Sequence, residues 1–308
     1  MKKEVFLQRY LIRRMNRSLL YACLAALLVS CQEGGKKKVS SEKEIPSAVE
    51  QTDSIVTEDN EEDFRLVEDE GVPAQADESF ADFFYNFSCD VRFQKDRIVF
   101  PISYYKDEEV VRMTRDDWEH DSLFSKHDAY TVIFDSPEDM EIEEDTSLTS
   151  VQIDWIYLKE RKVKRYYFER IMERWYLEAI NIEDMTERQD ETEDFFVFYE
   201  RFSTDSIFQR ERLHDPLKFI TADPEDDFQI LETTLDPGQW FAFRPPLLQG
   251  WLSNIHYGQP QSVDSKEKIL EIKGFGNGAN NTLYFELRPQ KGTGKNVWKL
   301  MEYEDLSD

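Results

Sequence analysis

Cysteine is almost absent from this chain, with only Cys23, Cys31 and Cys89 among its 308 residues. Cys23 falls in the N-terminal leader and Cys31 directly after it, so Cys89 stands alone in the body and no internal disulfide is expected to staple the fold. A lone thiol in an oxidising compartment is expected to be buried, and Cys89 follows a Phe-rich helical pattern. Basic charge is scarce too: 38 Lys and Arg face 64 Asp and Glu, for a formal net charge of −26. So acidic a surface repels phosphate backbones and anionic headgroups, which argues against nucleic acid as a partner. Of the four histidines, His120, His127, His214 and His256, no two stand at the i, i+4 spacing of a helical metal site, and no cysteine accompanies them. No metal centre is expected. "GFGNGANN" lacks the preceding strand and following helix of a dinucleotide loop, so no cofactor is expected either. The acidic runs 135–146 and 223–227 lack the alternating ligands and central glycine of a calcium loop and read as solvated loops.

What is present begins with the leader. Lys2, Lys3, Arg9, Arg13, Arg14 and Arg17 precede the apolar run "LLYACLAALLVS", a secretory signal pattern. The run is roughly a dozen residues, short of the ~20 that a spanning helix needs. It ends in "LVSC", which resembles the lipobox of bacterial lipoproteins. That resemblance implies cleavage between Ser30 and Cys31, a diacylglyceryl group on the Cys31 thiol, and membrane attachment through it. It further implies an outer-membrane address, with the body facing the periplasm or the exterior. "MNRSLLYACLAALLVSC" is itself a complete signal, so Met1 and Met15 both stand as starts. Residues 1–30 hold six basic residues and one acid, so their removal makes the chain five charges more negative.

Residues 31–78 have almost no aromatic side chain except Phe64 and are dense in Glu, Asp, Ser, Lys and Thr. Such a segment buries too little apolar area to offset its conformational entropy and reads as a disordered acidic tether. From Phe80 the composition changes, and a phrase occurs twice: "FADFFYNFSCDVRFQKDRIVFPI" aligns without a gap on "FFVFYERFSTDSIFQRERLHDPL" 115 residues later. The match predicts an internal duplication, with modules at 79–187 and 194–305.

Phe80, Phe83, Phe84 and Phe87 fall at i, i+3, i+4 and i+7, one face of a helix, and Phe195, Phe198, Tyr199 and Phe202 repeat it. Ser88 and Ser203 are placed to cap a second helix. On that helix Asp90, Phe93, Gln94 and Arg97 share a face, as do Asp205, Phe208, Gln209 and Arg212. The set invites an anion site. We read it instead as a packing face on which Asp and Arg satisfy one another and neighbouring backbone. Pro101 and Pro216 are expected to close the helical part. "VQIDWIYLKE", "VKRYYFERI" and "RWYLEAINI", then "KILEIKGF", "NTLYFELR" and "NVWKLMEYE", read as antiparallel strands. The fold class is therefore α+β, two tandem modules of a helical hairpin followed by a curved antiparallel sheet.

This order is similar to the cone fold of nuclear transport factor 2. "DFFYNFSCDVRFQKDRIVFPI" and "DSLFSKHDAYTVIFDSPEDM" also resemble a family of uncharacterised Gram-negative lipoproteins assigned that fold. The resemblance implies no activity, because that family has none assigned. A pocket inside such a cone would be lined by Trp155, Tyr157, Tyr167, Trp175, Tyr284 and Trp298, aromatics that otherwise serve as core. The expected function is a non-enzymatic envelope lipoprotein that binds a small molecule, a glycan fragment or an envelope protein. The alternative is an isomerase or hydratase using a buried carboxylate.

Overall fold

The computed structural model describes residues 77–106, 109–186, 192–223, 229–260, 262, 264–276, 278–290 and 292–307. Ser30, Cys31, nearly all of the 31–78 segment and most of the 223–227 cluster lie outside them. The N-terminal half runs α1 (Phe80–Cys89), α2 (Val91–Asp96), β1 (Ile98–Lys106), β2 (Glu109–Met113), β3 (Ala129–Phe134), a 3₁₀ segment (Pro137–Glu144), β4 (Ser150–Tyr157), β5 (Lys162–Ile171) and β6 (Arg174–Asp184). The C-terminal half runs α3 (Phe195–Thr204), α4 (Ser206–Arg212), β7 (Leu213–Ala222), β8 (Ile230–Leu235), α5 (Trp240–Phe243), β9 (Trp251–His256), β10 (Glu267–Gly274), β11 (Asn280–Pro289) and β12 (Asn296–Asp305).

The Phe stripes form helices because their apolar residues fall on one side and their first turns are capped. The Ser79 hydroxyl accepts from Asp82 N, and the Asp194 carboxylate accepts from Phe196 N and Val197 N. The second helix of each pair is capped by Asp90 or Asp205, which accepts from the two amides at i+2 and i+3. The serines do not cap them. The first helices run on through Ser88 and Ser203, whose hydroxyls donate back to Phe84 O and Glu200 O. Nor do Asp90 and Asp205 meet the arginines of their own face. Arg97 donates to both Asp77 carboxylate oxygens at 2.7 and 2.9 Å, and Arg212 to both of Glu193 at 2.7 and 2.9 Å. The carboxylates at the helix starts are already engaged with backbone, so each arginine reaches outside its helix.

Pro101 and Pro216 do not end the helices, which have closed at Asp96 and Arg212; each lies inside a strand, β1 or β7, behind a cis peptide bond. Sequence patterning predicts six strands, and the described residues form twelve. β2 and β8 show no clean alternation because they are exposed edges. The sheets are also not wholly antiparallel: β1 pairs with β6, and β7 with β12, in parallel.

The sheet orders are β2-β1-β6-β5-β4-β9 and β3-β10-β11-β12-β7-β8. Each takes five strands from one half of the chain and its sixth from the other. Neither sheet is therefore confined to 79–187 or 194–305. The exchanged strands meet where Thr131 and Ser253, both fully buried, trade hydrogen bonds: each hydroxyl accepts the other residue's amide at 2.7–2.8 Å and donates to its carbonyl at 2.6–2.9 Å. Register shifts at Tyr167/Phe168 and Tyr284/Phe285 insert matching bulges on the two sheets, which bend the strands over their helices.

Two aromatic cores result, matched ring for ring. Phe80 meets Trp175 edge-on at 5.0 Å and Phe195 meets Trp298 at 5.2 Å; Phe87 meets Phe168 at 5.3 Å and Phe202 meets Phe285 at 5.5 Å. Phe93 and Phe208 are buried in the same places. Cys89 departs from expectation: it is exposed. The stripe at Phe80, Phe83, Phe84 and Phe87 uses the inward side, and Cys89, two residues on, is rotated away from it.

Candidate functional site

Gln94 and Gln209, each almost wholly buried, do the same work in the two halves. The Gln94 amide donates to Phe87 O at 2.8 Å, and its oxygen accepts from Trp118 Nε1 at 3.0 Å. Gln209 donates to Phe202 O and accepts from Trp240 Nε1 at 3.2 Å. Trp118 and Trp240 escape sequence reading because both fall outside the window of the repeated phrase.

Beyond that anchor the halves part. Gln94 also accepts from Asp121 N at 2.9 Å and donates to Asp121 O at 2.7 Å, gripping one residue of the loop before β3 by both backbone groups. Leu123, two residues on, is buried at φ 43°, a left-handed conformation that a leucine adopts only under constraint. Its amide donates to Asp121 Oδ1 at 3.0 Å. The carboxylate is thereby aimed at the helix-covered face of the first sheet. There Asp121 Oδ2 accepts from Tyr166 OH at 2.7 Å and Lys164 Nζ at 2.9 Å. Burial alone would raise the Asp121 carboxyl, but the Lys164 charge and the bonds from Tyr166, Lys164 and Leu123 outweigh it and hold it below the ordinary range. Burial, and then the Asp121 charge, push the hydroxyls of Tyr104, Tyr157 and Tyr166 up. The arrangement is an ionised acid and an ammonium among protonated phenols.

An aromatic cluster adjoins this network. Trp155 lies opposite Lys164 in the β4–β5 register and Tyr157 lies opposite Trp251 on β9. Trp155 and Trp251 stack at 4.8 Å, His127 packs on Trp251 at 4.7 Å and Phe124 lies 5.1 Å from Trp155. Trp155, Tyr157 and Trp251 are half-buried and His127 is exposed, so this end of the sheet opens to solvent. The exchanged strand β9 thus contributes directly to the site.

The other half fills the equivalent places differently. Setting the Thr131 and Ser253 crossings equal, Ile272 stands where Trp155 does, Asn281 where Lys164 does and Leu283 where Tyr166 does. The Gln209 oxygen that corresponds to the Asp121 anchor accepts instead from Arg244 Nη1 at 2.5 Å. Tyr303, fully buried, closes the gap by donating to Asn281 Oδ1 at 2.8 Å.

Of the six aromatics predicted to line a pocket, only Trp155 and Tyr157 come together here. Trp175 and Trp298 are core residues against the helices, so they are corrected from lining to packing. Tyr167 points to the opposite face from Tyr166. Tyr284 lies on the second sheet beside Glu304, which is buried; burial first, and Glu302 next, push that carboxyl up to about 8. Among the histidines, His256 Nε2 lies 2.9 Å from buried Asp154, while His214 Nδ1 contacts Pro216 O at 2.8 Å. His120 Nε2 is buried without a hydrogen-bond partner. No cluster among the described residues could hold a metal ion. The acidic run 135–146 is not simply solvated: Asp135 pairs with Lys268 and Glu143 with Lys273, because β3 carries its flanks against β10. A cleft of about 90 Å³ lies between α1 and the β10–β11 turn, lined by Phe80, Phe84, Tyr85, Tyr257 and Phe275 among others.

Residues 57–305 match the family described as Domain of unknown function (DUF4348), and the chain belongs to that family. No curated protein matches it. A crystal structure of an NTF2-like protein from Bacteroides fragilis at 2.15 Å resolution is 51% identical, covers 77% of this chain and 100% of its own, and superposes with a TM-score of 0.71. At that identity the α+β, NTF2-like fold is shared.

Proposed function

We propose that the chain is a cell-envelope lipoprotein, cut between Ser30 and Cys31 and attached through Cys31, whose body is two tandem cone-like modules on an acidic tether. In this reading it is a non-enzymatic binding module. Its ligand, a small molecule, a glycan fragment or a segment of an envelope protein, enters the open end of the first sheet. The observation that carries the site is the network of Asp121, Lys164 and Tyr166 beside Trp155 and Trp251, present in one half and replaced by Ile272, Asn281 and Leu283 in the other. Core packing is common to both halves and does not call for these residues. A strained Leu123 and a half-open aromatic wall are what a prepared ligand site has. Ligand-observed NMR with a panel of small glycans, carboxylates and short peptides tests it. Hits should vanish in Lys164→Met and survive in Lys218→Met; hits indifferent to Lys164, or none at all, would refute the site.

A second reading, an isomerase or hydratase, is favoured by Glu304, whose raised carboxyl sits beside Tyr284 as a general acid would. Glu304 is buried, whereas Trp155, Tyr157 and Trp251 are half-buried and His127 is exposed at the open end of the first sheet, so the binding reading is preferred.

A further inference from the structure

The turn joining β5 to β6 is built against its own chemistry. Met172 and Glu173 occupy it at φ 48° and 66°, conformations that a two-residue hairpin turn ordinarily gives to Asn or Gly. The corresponding connection in the other half uses Gly292 at φ 83° and Gly294 at φ 71° in the polar stretch "QKGTGK". Met172 is 93% exposed, and Ile171 and Val99 beside it are 41% and 42% exposed. With Arg174 and Tyr176 these residues line a shallow depression of about 430 Å³. A strained turn that holds an apolar side chain in water, where the same chain elsewhere uses glycines, implies something for that side chain to enter.

Asp77, the first described residue, is held at this same place. Asp77 accepts from Arg97 and from Trp175 N through its carboxylate, and its carbonyl accepts from Arg170 Nη2 at 3.1 Å. We infer that the β5–β6 hairpin tip inserts into a lipid surface, Met172 and Ile171 entering the acyl boundary with Tyr176 and Arg174 at headgroup level. Amphipathic Tyr and Arg suit that level. The inference rests on the anchor reading only for why a membrane is at hand; the geometry itself requires no acyl group. The overall negative charge opposes adsorption to anionic lipid, so the contact is apolar and the surface that fits is zwitterionic.

The test uses residues 31–308 with Cys31→Ser and Cys89→Ser, carrying an environment-sensitive NBD fluorophore at Met172→Cys or, as a matched control, at Thr293→Cys. Phosphatidylcholine vesicles should blue-shift and brighten the label at 172 and leave that at 293 unchanged, with little dependence on salt. In the unlabelled chain Met172→Asp should cut vesicle co-sedimentation about tenfold, the scale of losing one buried side chain. No response at 172, equal responses at both positions, or unchanged sedimentation of Met172→Asp would each overturn the inference. So would a shift at 172 that appears on raising protein concentration without lipid, since a second copy would then be the occupant. The anchor reading survives any of these outcomes, because it is tested separately through Cys31.

Discussion

The two halves share a skeleton and differ in what they hang on it. Gln94 and Gln209 donate to the equivalent carbonyls of Phe87 and Phe202, and Arg97 and Arg212 to those of Trp175 and Trp298. Yet one half spends the space beyond its glutamine on a polar network open to solvent and the other closes it with Tyr303 and Leu283. Where both copies of a motif are kept, the requirement is packing. Where only one is kept, packing does not explain it. That contrast sets Asp121, Lys164 and Tyr166 apart from the packing residues that both halves keep.

The contrast can be broken at several levels. The largest effect is expected from separation: residues 77–190 produced alone lack β9, the partner of β4, and should give a collapsed NMR spectrum without dispersion. A well-dispersed spectrum would show that the exchange is dispensable. Next, Phe93→Ala and Phe208→Ala should each cost about 3–5 kcal/mol in urea unfolding, because both rings are buried in equivalent cores. A large inequality between them would mean that the cores are not energetic equivalents.

A smaller effect should appear in pH dependence. Glu304 has a folded-state carboxyl raised to about 8, so the native state holds a proton that the unfolded state releases near its ordinary value. Stability from this group is complete below the unfolded value and is lost as pH rises toward 8. Glu304→Gln should flatten that decline in Tm measured from pH 5 to 9, and an unchanged slope would remove Glu304 as its source. Asp121 has the opposite sign. Its carboxyl is held low, so its contribution is present above the ordinary carboxylate value and fades as pH falls through its own. Asp121→Asn should lose roughly 2 kcal/mol near neutrality, the scale of charge-assisted bonds, with the loss shrinking in acid. Among the described residues of the C-terminal half, Asn281 and Leu283 stand in the places of Lys164 and Tyr166.

Much of the skeleton was legible in the residues. The Phe stripes at i, i+3, i+4 and i+7 mark the first helices, and aromatic alternation marks three of the four inner strands of each sheet. The capping residues were misread by two positions because serine and aspartate both cap, and only the inward turn of Ser88 decides between them. The strand exchange left no local mark: β3 and β9 read the same whichever sheet receives them. Of the site, Trp155 and Tyr157 were visible as inward aromatics. Asp121 was not, since a carboxylate in a polar loop looks solvated until Gln94, 27 residues earlier, is seen to hold it. One signal was available in retrospect: Tyr166 and Lys164 break the duplication where Leu283 and Asn281 stand opposite them.

The crossing at Thr131 and Ser253 has a consequence for how the chain is made. Synthesis proceeds from the N-terminus, and β4 cannot complete its pairing until β9, about a hundred residues later, has emerged. Until then β3 has no sheet to join and β4 presents a bare hydrogen-bonding edge flanked by aromatics, the surface that non-native strands capture most readily. Folding is thus deferred until most of the polypeptide has been made, and the nascent chain stays exposed to non-native pairing for longer than two independent modules would.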